Sequence, residues 1–271
     1  MNPKKFFYLL MLFSGYLVCP VLNADFQSGL DAVKRGDFGA ALNVWQPLAE
    51  EGIATAQYNL GLMYKSGQGV DKDNKLASEW FLLAAQQGFP AAQSGLALMY
   101  LNGDGVPQDY GRALKWYTLS AKQGDPDAQY NLGFMYDTGN GGVQDFKVAL
   151  KWYTLAAEQG FALAEYNLGL MYKLGQGVDR DDETAVLWYR KAAEQGLASA
   201  QTNLGVMYAF GKGIKKDYVY AYMWGGLGAS NGSKNGRKLR DDLSHKMSLL
   251  QVSNAKKLAR ECKKSRYKNC E

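Results

Sequence analysis

Residues 161–196 read FALAEYNLGLMYKLGQGVDRDDETAVLWYRKAAEQG, and the middle of that stretch recurs along the chain. Its kernel, Leu-Gly-x-Met-Tyr, begins at Leu60, Leu96, Leu132, Leu168 and Leu204, each 36 residues after the last, with Ala97 in place of the glycine in the second copy. A fixed period of this length marks an array of supersecondary units in which each unit stacks only on its neighbours. Such arrays bind other molecules and rarely catalyse.

Residues 53–88 serve as the unit. Ala56, Leu60, Met63 and Tyr64 fall at helical spacing and form one stripe of a first helix. Gly67 and Gly69 stop it, because glycine tolerates the left-handed conformation that ends helices. Asp73 is placed to cap a second helix. Ala77, Trp80, Phe81, Ala84 and Ala85 give that helix its apolar face, and Gly88 closes it. The unit is a hairpin of two short helices.

Identity between units reports what each needs in order to stack. Ala56 returns as Ala92, Ala128, Ala164 and Ala200. Trp80 returns as Trp116, Trp152, Trp188 and Trp224, and Asp73 as Asp109, Asp145, Asp181 and Asp217. The Trp and Tyr positions are expected to supply the large buried area, roughly 150–250 Å² each. Gly61 lies mid-helix, where glycine costs about 1 kcal/mol against alanine. Ala97 stands at the same place, so the site demands a small residue rather than a positive φ. One turn departs from the pattern: Gly142 stands where Val70, Val106, Val178 and Ile214 do, and a local change confined to that turn is expected.

The run Ala-x-Tyr-Asn-Leu-Gly-x-Met-Tyr, then Gly-x-Gly-Val, then Asp, then Ala-x-x-Trp-Tyr-x-x-Ala-Ala-x-Gln-Gly resembles the Sel1-like repeat, a relative of the tetratricopeptide repeat longer by about two residues. Residues 161–196 match nearly throughout, and the resemblance covers 53–232. It implies an all-α, right-handed α-solenoid of helix–turn–helix repeats, here with N- and C-terminal capping helices. Residues 25–52 read as a degenerate capping repeat: Ala41, Ala49 and Gly52 keep the register, while Trp45 stands one place off the Trp80 series. Gly225, Gly226 and Gly228 set the last hairpin apart. Leu239, Leu243 and Met247, then Leu250, Ala255, Leu258 and Cys262, indicate two more helices in a C-terminal cap, 233–271.

The N-terminus reads as an export signal, 1–24. Lys4 and Lys5 precede an apolar run from Phe6 to Leu22, and Leu22-Asn23-Ala24 is a usable cleavage site. The run is short for a membrane span, which needs about 20 residues, so cleavage is favoured over a retained anchor. Val18 before Cys19 argues against lipidation. A periplasmic or secreted, bacterial protein is expected. Without the signal the net charge is +3, but residues 233–271 alone carry +8 and the repeat body −5. That tail is either a solvated helix face or a contact for anionic envelope material. Cys262 and Cys270 are the only cysteines after the signal; they are either two thiols or a disulfide, which an exported compartment permits.

No cofactor, metal site or catalytic constellation is expected. His245, the single histidine, sits in the basic tail beside Lys246 and reads as a surface residue. One histidine provides neither a triad nor a zinc cluster. The Asp73 series reads as helix caps, and Gly67-x-Gly69 follows a helix, which is wrong for a dinucleotide loop. Nucleic acid is not an expected partner. The variable x of the kernel is apolar in every unit: Leu62, Leu98, Phe134, Leu170 and Val206. It lies opposite the helix stripe. Around it stand Tyr58, Tyr130 and Tyr166 one turn before, and Lys65, Asp137 and Lys173 three residues after. Two readings stay open: a row packed between adjacent first helices, or the floor of a concave groove for a protein or peptide segment. The resemblance implies the second class of activity, a non-catalytic exported scaffold or adaptor. The alternative is a binder of cell-wall fragments or β-lactams with weak hydrolase activity. The exported relatives of that kind carry cysteine pairs in each repeat, and residues 53–232 contain no cysteine.

Overall fold

The helix breaks are written by glycine and aspartate, and they fall where the 36-residue period puts them. A computed structural model describes the chain from Pro20 to Lys268 and at Cys270; side chains are described from Phe26 onward. The expected export signal therefore lies outside the described residues, apart from the backbone of 20–24. Residues through Asp109 form one compact unit and residues from Tyr110 a second.

The first unit holds α1 (Pro20–Lys34), α2 (Phe38–Glu50), α3 (Ala54–Ser66), α4 (Asn74–Gln86) and α5 (Pro90–Asn102). The second holds α6 (Tyr110–Lys122), α7 (Pro126–Thr138), α8 (Phe146–Glu158), α9 (Ala162–Leu174), α10 (Asp182–Glu194), α11 (Ala198–Phe210), α12 (Tyr218–Ser230), α13 (Lys234–Ser244) and α14 (Leu249–Lys264). The fold is an all-α solenoid of hairpins. Within each unit, the first helix of a repeat packs on its own second helix and on the second helix of the repeat before it. Asp73, Asp145, Asp181 and Asp217 each accept backbone N–H bonds at the start of the second helix, satisfying donors the helix leaves orphaned. Gly67, Gly103, Gly139, Gly175 and Gly211 end the first helices with positive φ.

The second glycine of each turn is a stacking residue as well. A Cβ at Gly105 would meet the Asn74 carbonyl, and one at Gly177 the Phe146 carbonyl. Each turn thus lies on the start of the second helix of the preceding repeat, too close for any side chain. The third turn does differ. The Met63-type carbonyl bonds of the other C-caps are replaced by a Gly142 N–H bond to Gly139, and Val143 is turned out at 88% exposure. The helices on either side keep their register.

The expectation that the Trp and Tyr positions supply the buried area holds for Tyr117, Tyr153 and Tyr189 and, within the Trp80 series, for Trp224, which is 1% exposed; it requires correction for the other four tryptophans. Phe81, Tyr117, Tyr153 and Tyr189, one residue further on, are fully buried, whereas Trp80, Trp116, Trp152 and Trp188 are half-buried. Helix geometry explains the shift. At about 100° per residue, position 81 lies near the middle of the arc set by Ala77, Ala84 and Ala85, and position 80 falls roughly 85° to one side. The buried ring in turn explains the mid-helix glycine: a Cβ at Gly61 would stand 2.5 Å from the Phe81 ring, at Gly133 2.8 Å from Tyr153, and at Gly169 2.5 Å from Tyr189.

Trp45 belongs to this slot. It precedes Phe81 by one period, is buried, and sits on Gly29, whose Cβ would lie 2.3 Å from the indole nitrogen. Phe26 stacks on the same indole, with ring centroids 5.7 Å apart. α1 and α2 are therefore a hairpin of the same construction, and Trp45 is in the register of the buried ring rather than one place off.

At the other end the slot is filled from outside the repeat. Gly225 replaces the ring, and Leu239 of α13 comes to 3.0 Å from a Cβ placed on Gly205. α14 packs beside α13 on α12, burying Ala255 and Cys262; Leu250, expected in that stripe, is exposed. Cys262 and Cys270 are bonded in a disulfide, with Cα atoms 4.9 Å apart. The last residues fold back on the repeats. Tyr267 Oη donates to Asn231 at 3.1 Å and Lys268 pairs with Glu194 at 3.6 Å.

Candidate protein-interaction surface

The face opposite the buried arc of each first helix carries the x position of the kernel. In the first unit, Leu62 is 39% exposed and Leu98 half-buried, with Tyr58 and Lys65 half-buried beside Leu62. In the second unit, Phe134 is 37% exposed while Leu170 and Val206 are half-buried. Leu170 packs against the core cluster formed by the second helix of its own repeat and the helices that follow. In each unit the row is thus partly packed and partly in solvent, so each sequence reading describes part of these side chains.

The tyrosines one turn earlier are joint residues first. Tyr58 packs on Phe81 and on Phe89, the residue before the next repeat's first helix, at centroid distances of 5.6 and 5.3 Å. Tyr130 does the same with Tyr153 and Phe161 at 5.8 and 5.1 Å, and Tyr166 meets Tyr189 at 5.9 Å. All three are half-buried. Burial raises the Tyr130 phenol above its usual range. Asp137 accepts a hydrogen bond from the Tyr153 hydroxyl at 3.3 Å, and its burial pushes the carboxyl above the usual carboxylate range. Lys173 is half-buried at the corresponding place of the fourth repeat.

One part of this face was not anticipated. Position 66 reads Ser66, Asn102, Thr138, Leu174 and Phe210. In the first and third repeats its hydroxyl bonds back to the carbonyl of the x residue, at 2.8 Å in each. In the last two it is a large apolar residue turned outward, Leu174 at 59% and Phe210 at 68% exposure. Because 66 follows 62 by one helical turn, Leu170 with Leu174, and Val206 with Phe210, form apolar pairs on one face. The polar-to-apolar change along the series is visible in the sequence once it is read in register.

Within each unit, amide side chains link neighbouring helices behind this face. Gln57, Gln129 and Gln201 donate to Ala49, Ala121 and Ala193 carbonyls at 3.1–3.2 Å and accept from Gln87, Gln159 and Asn231 at 2.8–2.9 Å. Gln159 and Gln195 also reach back to the Gly124 and Gly160 carbonyls. Glu165 replaces the glutamine in the fourth repeat. Among the described residues, no three of His, Cys, Asp and Glu stand together as a metal site, and no helix is long and apolar enough to cross a membrane.

In the second unit the face therefore offers aromatic and aliphatic side chains, a flanking lysine and a tethered carboxylate, which is chemistry for holding a chain segment. The comparisons agree with this architecture. The family model described as Sel1 repeat matches residues 54–89, 90–125, 126–161, 162–197 and 198–233. The chain is similar to a Sel1 repeat protein from Oxalobacter formigenes, with 34% identity, 80% of this chain and 86% of that chain covered, and a TM-score of 0.75. It also resembles a protective antigen of uropathogenic Escherichia coli with an SLR fold, at 28% identity over 92% and 70% of the two chains and a TM-score of 0.40. A third likeness is to a Sel1 repeat protein from Klebsiella pneumoniae, at 25% identity over 74% and 97%, with a TM-score of 0.48. No curated protein matches. Five family matches in unbroken register, covering well over half of the residues, show that this chain belongs to the Sel1 repeat family.

Proposed function

We propose that the protein is a non-catalytic, exported scaffold or adaptor that binds a protein or peptide segment on the outward face of its first helices. The observation that carries this reading is the exposed apolar series Phe134, Leu174 and Phe210 on helices whose other side is buried in stacking. A helix face that only separated repeats would have no use for a 68%-exposed phenylalanine where earlier repeats carry Ser66, Asn102 and Thr138. Half-buried Leu170 and Val206 give the row a rigid floor, and rigid apolar anchors lose little entropy when a partner binds. Lys173 supplies polar contacts at the edge.

Export is part of the proposal. Its supports are the Lys4–Lys5 start, the apolar run and the Ala24 cleavage point, together with the packing of Phe26 on Trp45 just after that point. The bridged cysteines suit an oxidising compartment.

The test is affinity capture from envelope extracts of the source organism with full-length protein. Phe134→Glu and Phe210→Glu variants should keep the helical circular-dichroism spectrum and lose the specific partner. Capture of the same partner by both variants would overturn the reading. Mass spectrometry of the protein recovered from the periplasm or medium should show a chain beginning at Asp25; an uncleaved chain confined to the cytoplasm would refute export.

A further inference from the structure

We propose that the last three helices form a second binding site, a basic cleft that takes an acidic peptide segment carrying a hydrophobic side chain. The cleft has a volume of about 630 Å³ and is lined by residues of α12, α13 and α14. That is within the range of ligand pockets, roughly 300–1,000 Å³. α12 packs on both α13 and α14 and provides the floor between them.

The sequence opens this cleft at one residue. Gly226 stands where the other repeats have Leu82, Thr118, Thr154 and Arg190. A Cβ there would find only Arg240 Cδ, at 3.8 Å. The missing side chain leaves a floor of buried Tyr222 and Leu227, joined by half-buried Val252 and Ala259 of α14. The walls are charged. Lys256, Arg260 and Lys263 follow one another at helical spacing along the face of α14 that lines the cleft, and Arg240 faces them from α13. Arg240 is held by Asp241, with Nε and Nη2 to Oδ1 at 2.9 and 2.7 Å. The α14 carboxylate Glu261 pairs with Lys257 outside the cleft. Lys256, Arg260 and Lys263 are exposed and make no ion pair among the described residues. Four cations against one carboxylate leave a net positive cleft, and low-dielectric walls focus such a field.

Two demands fix the ligand's chemistry. The cations call for carboxylates, which arginine and lysine bind with charge-assisted hydrogen bonds. The apolar floor calls for a hydrophobic side chain between them. Inorganic phosphate and hydrophilic polyanions leave the floor unused. A bilayer surface is flat and does not enter a concave cleft. A peptide alternating acidic and large apolar residues meets both demands.

Fluorescence anisotropy with a labelled peptide of alternating Glu and Leu, titrated with the full chain, tests this. The wild type should bind, and the affinity should fall as salt rises. The double variant Lys256→Glu, Arg260→Glu should bind at least about tenfold more weakly, a difference of about 1.4 kcal/mol. Gly226→Leu, which fills the floor and leaves every charge in place, should do the same while its melting curve stays cooperative. Peptides with Gln for Glu, or Ser for Leu, should also lose about tenfold. Undiminished binding by Gly226→Leu, or equal binding of the Ser peptide or of dextran sulfate, would show that tail charge alone attracts anions and would overturn the proposal. Binding of anionic phosphatidylglycerol vesicles that the peptide does not displace would overturn it in favour of a membrane contact. Phe134→Glu should leave peptide binding unchanged. Loss of binding there would move the peptide to the repeat face and overturn the cleft without touching the function proposed above.

Discussion

The interior hairpins of the second unit and its last hairpin solve one packing problem in two ways. In α7–α8 and α9–α10, a tyrosine of the second helix lies across a glycine of the first: Tyr153 on Gly133, Tyr189 on Gly169. In α11–α12 the glycine remains as Gly205, but the tyrosine has become Gly225 and the space passes to Leu239 of the cap. A repeat in the middle of an array brings its own filler. The final repeat gives up its filler so that a different helix can dock, and the polar outer face that helix presents is what a terminal unit requires. The same surrender, one residue later at Gly226, opens the basic cleft.

The comparison breaks most visibly at Tyr153. Tyr153→Ala removes a fully buried ring over a glycine that cannot fill the void, and should cost about 3–5 kcal/mol in denaturant unfolding. Trp152→Ala, half-buried, should cost less than half as much; equal losses would mean that the ring slot has no special place in stacking. Next in size is Gly225→Tyr, which restores the residue type of the interior repeats. A Cβ at Gly225 already lies 3.2 Å from Leu239 Cδ2 and 3.3 Å from the Gly236 carbonyl. Overpacking should cost about 1–3 kcal/mol and release α13, seen as new proteolytic cleavage within 233–271. A rise in melting temperature would show that the cap does not occupy the slot.

The smallest effect concerns Glu165, which is 4% exposed in a position that is glutamine in the other repeats. Burial raises its carboxyl above the usual range; the Gln195 hydrogen bond and Lys191 and Lys268 oppose this, while Glu194 adds to it. A glutamate whose folded pKa lies above its unfolded one contributes stability below the unfolded value and loses it as pH rises through the folded value. Glu165→Gln, always able to donate an N–H, should therefore be the more stable form at neutral pH. Recovering one hydrogen bond, roughly 1 kcal/mol, would raise the melting temperature by about 2–4 °C. The gap should narrow as acid protonates the glutamate, and close below the ordinary glutamate range. A gap of the same size at neutral pH and in acid would show that the position does not titrate with folding.

Much of this was legible in the chain. The Leu-Gly-x-Met-Tyr kernel, the Asp73 series and the paired turn glycines each encode a local event (a stripe, a cap, a left-handed stop), and local events are written in adjacent residues. The two C-terminal helices were legible for the same reason. The sequence places positions 80 and 81 together on the apolar face, and only the angular position around the helix makes 81 the buried ring in the interior repeats. Trp45 looked out of register for that same reason. The exposed pair Leu174 and Phe210 could have been found by reading position 66 down the repeats. The cleft could not: it depends on an absent side chain at Gly226 and on how α14 packs beside α13, which no local pattern states.

The sequence by itself determined the period, the helices and the family, because a repeat needs only nearest-neighbour information and states it five times. The tertiary structure decided which aromatic fills each joint, how the last joint is sealed and where cations gather around an apolar floor. Those outcomes depend on distances between neighbouring helices, which no residue carries alone.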